Sequence, residues 1–582
     1  MEAFVKSLNF IFKISLVFCF SIFSFSCMYL FFHPLFTATE VIIPYSFMPF
    51  DICQKNPDLW ENLKYLYIIF YFFCNLILFR FIFFSVFKNF PFCKNTTINY
   101  SHTDNSINLL IGTDFKSSKP VFITEKGLYQ NMLITGTIGS GKTSSAMYPF
   151  LKQLLKFENQ NDYQKIGMLI LDVKGNFYKQ VQKYSQEFNR ENDIVLIELG
   201  GNIRYNPLHK PNLKPSVLAN RLKTVLTLLS PNNVESYWLD KVEQILTECI
   251  KLCRLYNNGY VTFSEIHKLV NEPKYYKEKI EILRNIFQNN CLDSPSIYDL
   301  LTSLEFFENE FLSLDTRTLS ILKSEISRIT LNFLSDYDVL NTFCPTQENL
   351  NFLGFEEVLS EGKIVVLNMN IAEYKNLSKI IASYLKLDFQ SEVLSNLATT
   401  KYNRTSAFLC DEYHEYVTLT DSDFFAQSRE AKCINIVATQ SYTSLLNTLK
   451  EPYAVKAISQ NLINKLWYRT DDIFTIEEAQ KQLGKEEQEK LSKTISENAK
   501  ETNFDYLTRT LKSQNSNISE SINTYTQKDF IYDIKDFTQN LETFTCLSFL
   551  SNGSYILPPC KLQMIPYFKS QSESKPNFNS II

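Results

Sequence analysis

The chain has 582 residues, of which 45% are hydrophobic and 21% charged, a composition that excludes a disordered or collagen-like polypeptide. Its formal net charge of -4 argues against a protein that coats nucleic acid through an overall basic surface. The thirteen cysteines lack the paired spacing of a zinc or thioredoxin site, which indicates a reducing cytosol for most of the chain. The length predicts two or three folded domains.

Two apolar segments near the amino terminus predict a membrane anchor. Residues 15–32 form an uncharged apolar run long enough to cross the hydrocarbon core as one helix, and residues 65–87 form a second run that contains Arg80. Lysines flank the outer ends of both runs, whereas acidic residues predominate in the loop between them, so both ends are predicted to be cytosolic. A cleaved signal peptide and a buried core helix are the respective alternatives.

A glycine-rich segment between a predicted strand and a predicted helix has the pattern of a phosphate-binding loop. The strand is expected at residues 130–135 and the helix at residues 144–157. Glycines allow backbone N–H groups to turn toward phosphates at a helix N-terminus, where unpaired amides favour anions. The predicted nucleotide-binding residues are Gly136, Thr137, Ile138, Gly139, Ser140, Gly141, Lys142 and Thr143. Lys142 is expected to reach the β and γ phosphates and Thr143 to bind magnesium, the alternative being an accidental glycine loop.

Two acidic residues follow another apolar run, residues 406–410, and supply the carboxylates that such a loop requires. Asp411 is predicted to orient the magnesium shell, and Glu412 to polarise the attacking water as general base. Gln440 ends the next predicted strand, residues 434–439, where its amide is placed to sense the γ-phosphate. Solvated acids at a strand end and a plain surface glutamine are the alternatives.

The remaining pattern predicts a mostly parallel, two-sided sheet interrupted by helices. About eight short apolar runs, which also include residues 167–171, 194–197, 364–367, 466–468 and 546–550, alternate with helical patterns. Strand signals disappear between residue 208 and about residue 346. Asp172, Lys174 and Gly175 follow one predicted strand. They are expected either to lie at the edge of the sheet where ligands bind or to form an ordinary turn. The predicted domains are an anchor (1–95), a motor domain in two parts (96–209 and 346–568), an inserted all-α domain (210–345) and a flexible tail (569–582). A polar surface excursion is expected at residues 481–528.

Six motifs follow one another along the chain: QNMLITGTIGSGKT, LILDVKGNF, YNPL, ESYWLDKVEQIL, FLCDEYHEY and NIVATQS. Taken in this order, they resemble the type IV coupling proteins of bacterial conjugation and type IV secretion, the TraG/TraD-like group, and the resemblance extends from about Val121 to Tyr567. It implies an α/β fold with a RecA-like P-loop motor, an inserted all-α domain and an N-terminal two-helix transmembrane anchor. It also implies an ATPase that uses ATP and Mg²⁺ and works as a homohexamer.

The resemblance further implies partners, a location and roles for single residues. The partners are single-stranded DNA with a relaxase, or protein substrates, together with secretion-channel components and the lipid bilayer. The location is the bacterial inner membrane, as a multi-pass protein with a cytoplasmic motor domain. Lys142 and Thr143 become the Walker A pair, Asp411 and Glu412 the Walker B pair. Gln440 becomes the sensor, while Arg429 is expected to act on a neighbouring subunit's γ-phosphate or, alternatively, to form a structural salt bridge.

Three other functions stay open on the sequence. A DNA translocase of the FtsK or HerA type shares the same motor, although nothing after Pro566 leaves room for a DNA-orienting winged-helix domain. A membrane scaffold whose assembly is switched by a nucleotide would need the same phosphate-binding loop but would not hydrolyse the nucleotide. A coupling protein devoted to protein effectors would have the same motifs.

Overall fold

The structure is a computed structural model that describes residues 106–229, 236–289, 293–369, 371–498, 503–505, 507, 509–512 and 517–569, together with Ile69 and Phe73. The chain divides into two compact units at residues 101 and 102, and the following concerns the second unit. The predicted tail lies outside the described residues beyond Lys569.

The prediction of a multi-pass protein of the inner membrane is wrong for the part of the chain that the structure describes. In that part no helix is both long and apolar enough to cross a bilayer. Asn376–Thr399 and Ser236–Tyr256 have the length, but both carry several charged side chains, each costing about 2.5–3.5 kcal/mol at the centre of a bilayer. The predicted spans, residues 15–32 and 65–87, lie outside the described residues except for two isolated positions.

A mixed sheet of eleven strands forms the centre of the unit, in the order β2-β1-β15-β14-β9-β3-β8-β7-β4-β6-β5. Its strands are β1 (Asn108–Asp114), β2 (Pro120–Thr124), β3 (Met132–Thr135), β4 (Gly167–Leu171), β5 (Ile194–Ile197), β6 (Ile364–Leu367), β7 (Ser406–Cys410), β8 (Cys433–Thr439), β9 (Asn464–Tyr468), β14 (Thr545–Phe549) and β15 (Cys560–Gln563). The strands from β9 to β5 pair in parallel, whereas β14, β15, β1 and β2 pair antiparallel at one side.

Helices cover the sheet on both faces, as the continuous burial of its central strands requires. The helices are α1 (Glu125–Leu128), α2 (Tyr148–Lys156), α3 (Phe177–Glu187), α4 (Pro215–Leu229), α5 (Ser236–Tyr256), α6 (Phe263–Asn271), α7 (Pro273–Gln288), α8 (Ser294–Glu305), α9 (Thr316–Thr330), α10 (Tyr337–Phe343), α11 (Glu356–Ser360), α12 (Ile371–Tyr374), α13 (Asn376–Thr399), α14 (Asp421–Gln427), α15 (Tyr442–Leu449), α16 (Pro452–Asn461), α17 (Ile473–Leu483) and α18 (Ile534–Thr538). Alternate residues of β3 enter two separate hydrophobic cores, Leu133 on one face and Met132 with Ile134 on the other.

The interval without strand signals, between β5 and β6, contains helices α4 to α10. These helices share the hydrophobic core that lies on the Leu133 face of the sheet, and within it the rings of Phe263 and Phe333 stack with centroids 3.9 Å apart. The buried carboxylate of Asp388, on α13, joins this layer to the sheet. Arg221 of α4 donates to one of its oxygens at 2.6 Å, and the ammonium of Lys210 lies 2.8 Å from the other. Buried charges tolerate such a position only when they are paired in this way.

The predicted polar excursion is a long two-stranded ribbon. Strand β10 (Lys485–Asn498) pairs antiparallel with β13 (Asn517–Phe530) without a register shift. A short pair, β11 (Asn503–Asp505) and β12 (Thr510–Lys512), lies between them in sequence. The ribbon follows α17 directly and returns to α18, so it interrupts the path between β9 and β14 without disturbing the sheet order.

Candidate nucleotide-binding site

The glycine-rich loop leaves the carboxyl end of β3 and is held between the ends of two neighbouring strands. The N–H of Gly136 donates to the carbonyl of Gln440, which follows β8, at 3.1 Å, and the N–H of Thr137 donates to the carbonyl of Arg469, which follows β9, at 2.8 Å. Gly136 has φ 155° and Gly141 φ 99°. A Cβ on Gly141 would lie 2.5 Å from the ring of Phe544, so both conformation and space require glycine there.

Lys142 lies buried inside its own loop. Its Nζ donates to the carbonyl of Gly136 at 2.5 Å and to that of Thr137 at 3.2 Å. Burial lowers the pKa of Lys142, although the carboxylates of Glu412 and Asp411 act in the opposite direction. An anion that entered the loop would meet a poorly hydrated cation together with N–H groups at a helix start, an arrangement that favours phosphate.

Thr143 and Asp411 are brought into direct contact from positions far apart in the chain. The hydroxyl of Thr143 donates to Oδ2 of Asp411 at 2.7 Å. Asp411 follows β7, which is separated from β3 by β8 alone, and its side chain is buried. A hydroxyl oxygen beside a carboxylate is a donor set that suits Mg²⁺, which usually takes one or two carboxylates together with substrate phosphates. Among the described residues no cluster of three or more His, Cys, Asp or Glu forms a separate metal site.

Asp411→Asn is expected to stabilise the ligand-free protein at neutral pH. Burial, with help from Glu412, raises the pKa of Asp411 to about 6 despite the hydrogen bond from Thr143. Above about pH 6 the folded protein therefore contains a buried carboxylate that is less stable charged than it is in the unfolded chain. The free energy of unfolding that this group contributes falls as the pH rises from about 4 through 6. In urea unfolding, the variant should gain about 1–3 kcal/mol near pH 7.5 and nothing below about pH 4.

The control for this prediction is a buried aspartate that is fully paired. Asp193 accepts hydrogen bonds from Lys165 Nζ and Arg190 Nε, each at 2.9 Å. Asp193→Asn leaves those cations with a weaker partner, so it should lower the free energy of unfolding near pH 7.5. If Asp411→Asn also lowered the free energy of unfolding near pH 7.5, the charge on Asp411 would stabilise the folded protein, contrary to this prediction.

Glu412 combines a strained backbone with an unsatisfied carboxylate. It has φ 50° and ψ 46°, in the left-handed region, and its N–H donates to Oδ1 of Asp411 at 3.0 Å. Oε1 lies 3.8 Å from Nζ of Lys174 and Oε2 lies 3.8 Å from Nδ1 of His414. Among the described residues Oε2 has no hydrogen-bond donor although it is buried. A strained backbone and a buried acceptor without a donor at the same residue are typical of a functional site. Oε2 of Glu412 can accept a hydrogen bond from a water molecule.

The segment that follows Glu412 is held by a buried ion pair that residue spacing does not predict. Lys386 of α13 and Asp421 of α14 are both fully buried, and Nζ of Lys386 lies 2.7 and 2.6 Å from the two carboxylate oxygens. Lys386 also donates to the carbonyl of Tyr416 at 2.7 Å, and the hydroxyl of Tyr413 donates to Asp421 at 2.5 Å. These contacts hold Tyr413 and Tyr416, the first residue of the short turn after Glu412 and the residue that follows that turn.

Lys386→Met is expected to lower the free energy of unfolding by about 3–5 kcal/mol, because it leaves Asp421 charged and buried without its cation. Guanidinium unfolding measures the loss, and adding Asp421→Asn should recover part of it. Lys379→Met is the matched control on the same helix, since Lys379 pairs with Glu415 at a partly exposed position. That loss should stay below about 1 kcal/mol. Equal losses for the two lysine variants would contradict a special role for the buried pair.

The other predicted residues fall at different places. Gln440 is half-buried beside the loop and holds Gly136 through its backbone carbonyl. Arg429 is exposed in the turn before β8, at the edge of the parallel strands opposite Lys142, so the fold does not bring it to the other predicted residues of its own chain. Asp172 accepts N–H bonds from three residues of the turn that starts α3, and Lys174 of that turn approaches Glu412.

The parallel strands of the mixed sheet, with the glycine loop at the carboxyl end of β3 and the acid pair after β7, give the chain an α/β fold of the RecA-like type. The bacterial conjugative coupling protein TrwBdeltaN70, in an unbound monoclinic form, has a similar fold, with a TM-score of 0.50 at 11% identity over 80% of this chain and 89% of that one. The plasmid coupling protein TrwB in complex with ADP and Mg²⁺ gives a TM-score of 0.48 at 12% identity, over 76% and 86% of the two chains. VirB4 of Thermoanaerobacter pseudethanolicus gives 0.43 at 13% identity, over 80% and 97%.

No protein-family model matches the sequence, and no curated protein matches it either. The resemblance to coupling proteins that the motifs predict is therefore confirmed at the level of the fold, through the match to TrwBdeltaN70. The two-helix anchor predicted with it falls outside the described residues.

Proposed function

We propose that the chain is an ATP-hydrolysing motor of type IV secretion that acts as a coupling protein. In this role it binds ATP with Mg²⁺ and uses hydrolysis to move a relaxase-bound DNA strand, or a protein substrate, toward a secretion channel. The observation that carries the proposal is the 2.7 Å contact between Thr143 and Asp411 beside the buried ammonium of Lys142. The fold shared with a conjugative coupling protein supports the choice of substrate class.

Each residue of the site then has a defined task. Lys142 exchanges its loop carbonyls for phosphate oxygens, and the loop N–H groups bind the remaining negative charge. Thr143 and Asp411 would hold magnesium, which when bound neutralises charge on the phosphates. Glu412 accepts the proton of the attacking water at its unpaired Oε2. Gln440, anchored beside the loop, is assigned the sensing of the γ-phosphate.

A ring in which neighbouring copies complete each other's sites would give Arg429 a role at a nucleotide. Its side chain is exposed and lies at the opposite edge of the sheet from Lys142, so it can serve a nucleotide only on another copy. We assign it the stabilisation of the γ-phosphate in a homohexamer.

Arg429→Ala should then reduce turnover while leaving nucleotide binding within about threefold, because the group acts on the transition state rather than on the ground state.

The proposed function is tested by measuring ATP turnover of the full chain with and without single-stranded DNA. A DNA-transporting motor should hydrolyse ATP faster when DNA is added, whereas Lys142→Ala should show no turnover in either condition. Nucleotide binding without turnover would favour a nucleotide-switched scaffold. Turnover that ignores DNA but rises with a protein substrate would restrict the role to protein effectors.

A further inference from the structure

A second polar cavity lies under the helices that follow β8, and it shares no lining residue with the nucleotide site. It has a volume of about 340 Å³ and lies among α15, α16, α17 and the start of β9. Three lysines line it, Lys456, Lys465 and Lys481, against one acidic residue, Glu478. The volume is roughly ten times the share of one water molecule in the liquid, so the cavity has room for a small ligand.

Lys465 lies on a fully buried strand, where apolar side chains are the usual residues. All five residues of β9 are buried, and Lys465 is only 3% exposed. It points to the same face of the strand as Trp467, which packs against Ile476 and Ala479 of α17. Lysine is almost never buried so completely unless an anion pairs with it, because an unpaired charge loses its hydration.

No such anion is supplied by the part of the chain that the structure describes. There, Lys465 has neither a hydrogen-bond acceptor nor an ion-pair partner, and burial alone lowers its pKa to about 8. The side chain is therefore still mostly protonated at neutral pH. A cation that remains charged, buried and unpaired beside an open cavity is the protein half of an anion site.

The rest of the cavity wall fits the same ligand. The only acidic residue in the wall, Glu478, is already shared by the two exposed lysines, 3.6 Å from Lys456 and 3.0 Å from Lys481. With three cations and one anion the wall carries a net charge of +2. Gln460 and Gln482 add amide donors at the rim.

We propose that this cavity binds a phosphate-sized oxyanion, with Lys465 as its central ligand and Lys456 and Lys481 at its mouth. Charge-assisted hydrogen bonds from ammonium groups suit phosphate oxygens, and a tetrahedral anion can accept from several directions at once. The anion is either a free phosphate group or a phosphodiester of a nucleic-acid strand, and both present the same oxygens to Lys465. The site does not depend on hydrolysis at the P-loop.

The test uses the full chain carrying Lys142→Ala, so that the phosphate loop itself no longer competes for anions. Inorganic phosphate and a short single-stranded oligonucleotide are titrated separately by calorimetry. Adding Lys465→Met should weaken binding of one of these two probes at least about tenfold, because one charge-assisted contact is lost. Lys183→Met, at an exposed position on α3, is the control and should leave both affinities unchanged.

The probe that responds identifies the source of the anion. A loss confined to phosphate indicates a free phosphate group, and a loss for the oligonucleotide indicates a phosphodiester. Affinities for both probes that stay within about twofold in Lys465→Met would overturn the proposal. Met fills the same buried space without a charge, so the variant should fold.

A second measurement keeps the test independent of that variant. Reductive methylation of the Lys142→Ala chain, followed by mass spectrometry, reports how accessible each lysine is. A saturating concentration of whichever probe binds should slow the modification of Lys465 and leave that of Lys183 unchanged. Equal rates for Lys465 with and without the probe would contradict binding at this cavity.

Discussion

Replacing Lys142 with alanine is expected to weaken ATP binding by at least about 100-fold, because two or more charge-assisted bonds to phosphate are lost. The ammonium already lies among the loop carbonyls, where a phosphate oxygen is a stronger partner than a neutral carbonyl. Fluorescence titration with a labelled ATP analogue measures the effect. The fold should survive, since the substitution removes a poorly hydrated buried cation and no ion pair.

Lys152→Ala is the matched control for this prediction. Lys152 lies on α2, the helix that continues from the loop, and pairs with Glu187 at 2.7 Å on the surface. Its loss should leave ATP affinity within about twofold. Lys152 lies on the helix beyond the loop, and its contacts are the ion pair with Glu187 and cation–π contacts with the rings of Tyr184 and Phe188. ATP affinity that falls little in Lys142→Ala, or equally in both variants, would show that the loop does not bind phosphate through this lysine.

The sheet could be predicted from sequence where its strands are apolar and continuous. All of the predicted runs are strands, and the strands that were missed, β1, β2 and β15, lie together on the antiparallel side. β2 and β15 are only partly buried, and β15 includes the polar residues Lys561 and Gln563. The pairing of Thr113 with Gln563 joins residues from the two ends of the described unit, and no local pattern reveals such a contact.

The ribbon was missed for a related reason. Strands β10 and β13 are rich in Lys, Glu, Ser and Asn, and their described side chains are largely exposed. Without a buried face, the two-residue alternation that identifies a strand is weak. Their stability comes from pairing with each other, which depends on register across an intervening segment rather than on either sequence alone.

The site divides in the same way into local and long-range parts. The loop residues Gly136 to Thr143 could be predicted because the chemistry requires them to be consecutive. The contact of Thr143 with Asp411 could be expected only by pairing two separate motifs. The support that Lys386 gives to Asp421 and the isolation of Lys465 depend on which elements pack together, so neither leaves a signal in residue spacing.

Glu412→Gln is expected to bind ATP within about threefold of the unchanged protein and to hydrolyse it roughly 100- to 10,000-fold more slowly, the usual range for loss of a general base. Glutamine has nearly the same shape and still accepts hydrogen bonds, so the position beside Lys174 and His414 can be kept. It cannot take the proton of the attacking water at neutral pH. Single-turnover hydrolysis with saturating ATP separates this loss from any change in binding.

Glu415→Gln is the control, since Glu415 lies three residues further on at a partly exposed position, where it pairs with Lys379 and lies 3.6 Å from Nε2 of His414. It should leave turnover within about threefold. If Glu412→Gln hydrolysed ATP at a normal rate, His414 would be the next group able to take the proton. Burial lowers the pKa of His414, so the neutral ring is a weaker base than an exposed histidine but still has a nitrogen that can accept a proton. Its Nδ1 lies 3.2 Å from the hydroxyl of Thr439. Residual turnover in Glu412→Gln that disappears with His414→Asn would therefore reassign the base, whereas His414→Asn alone should reduce turnover only a few-fold if Glu412 is the base.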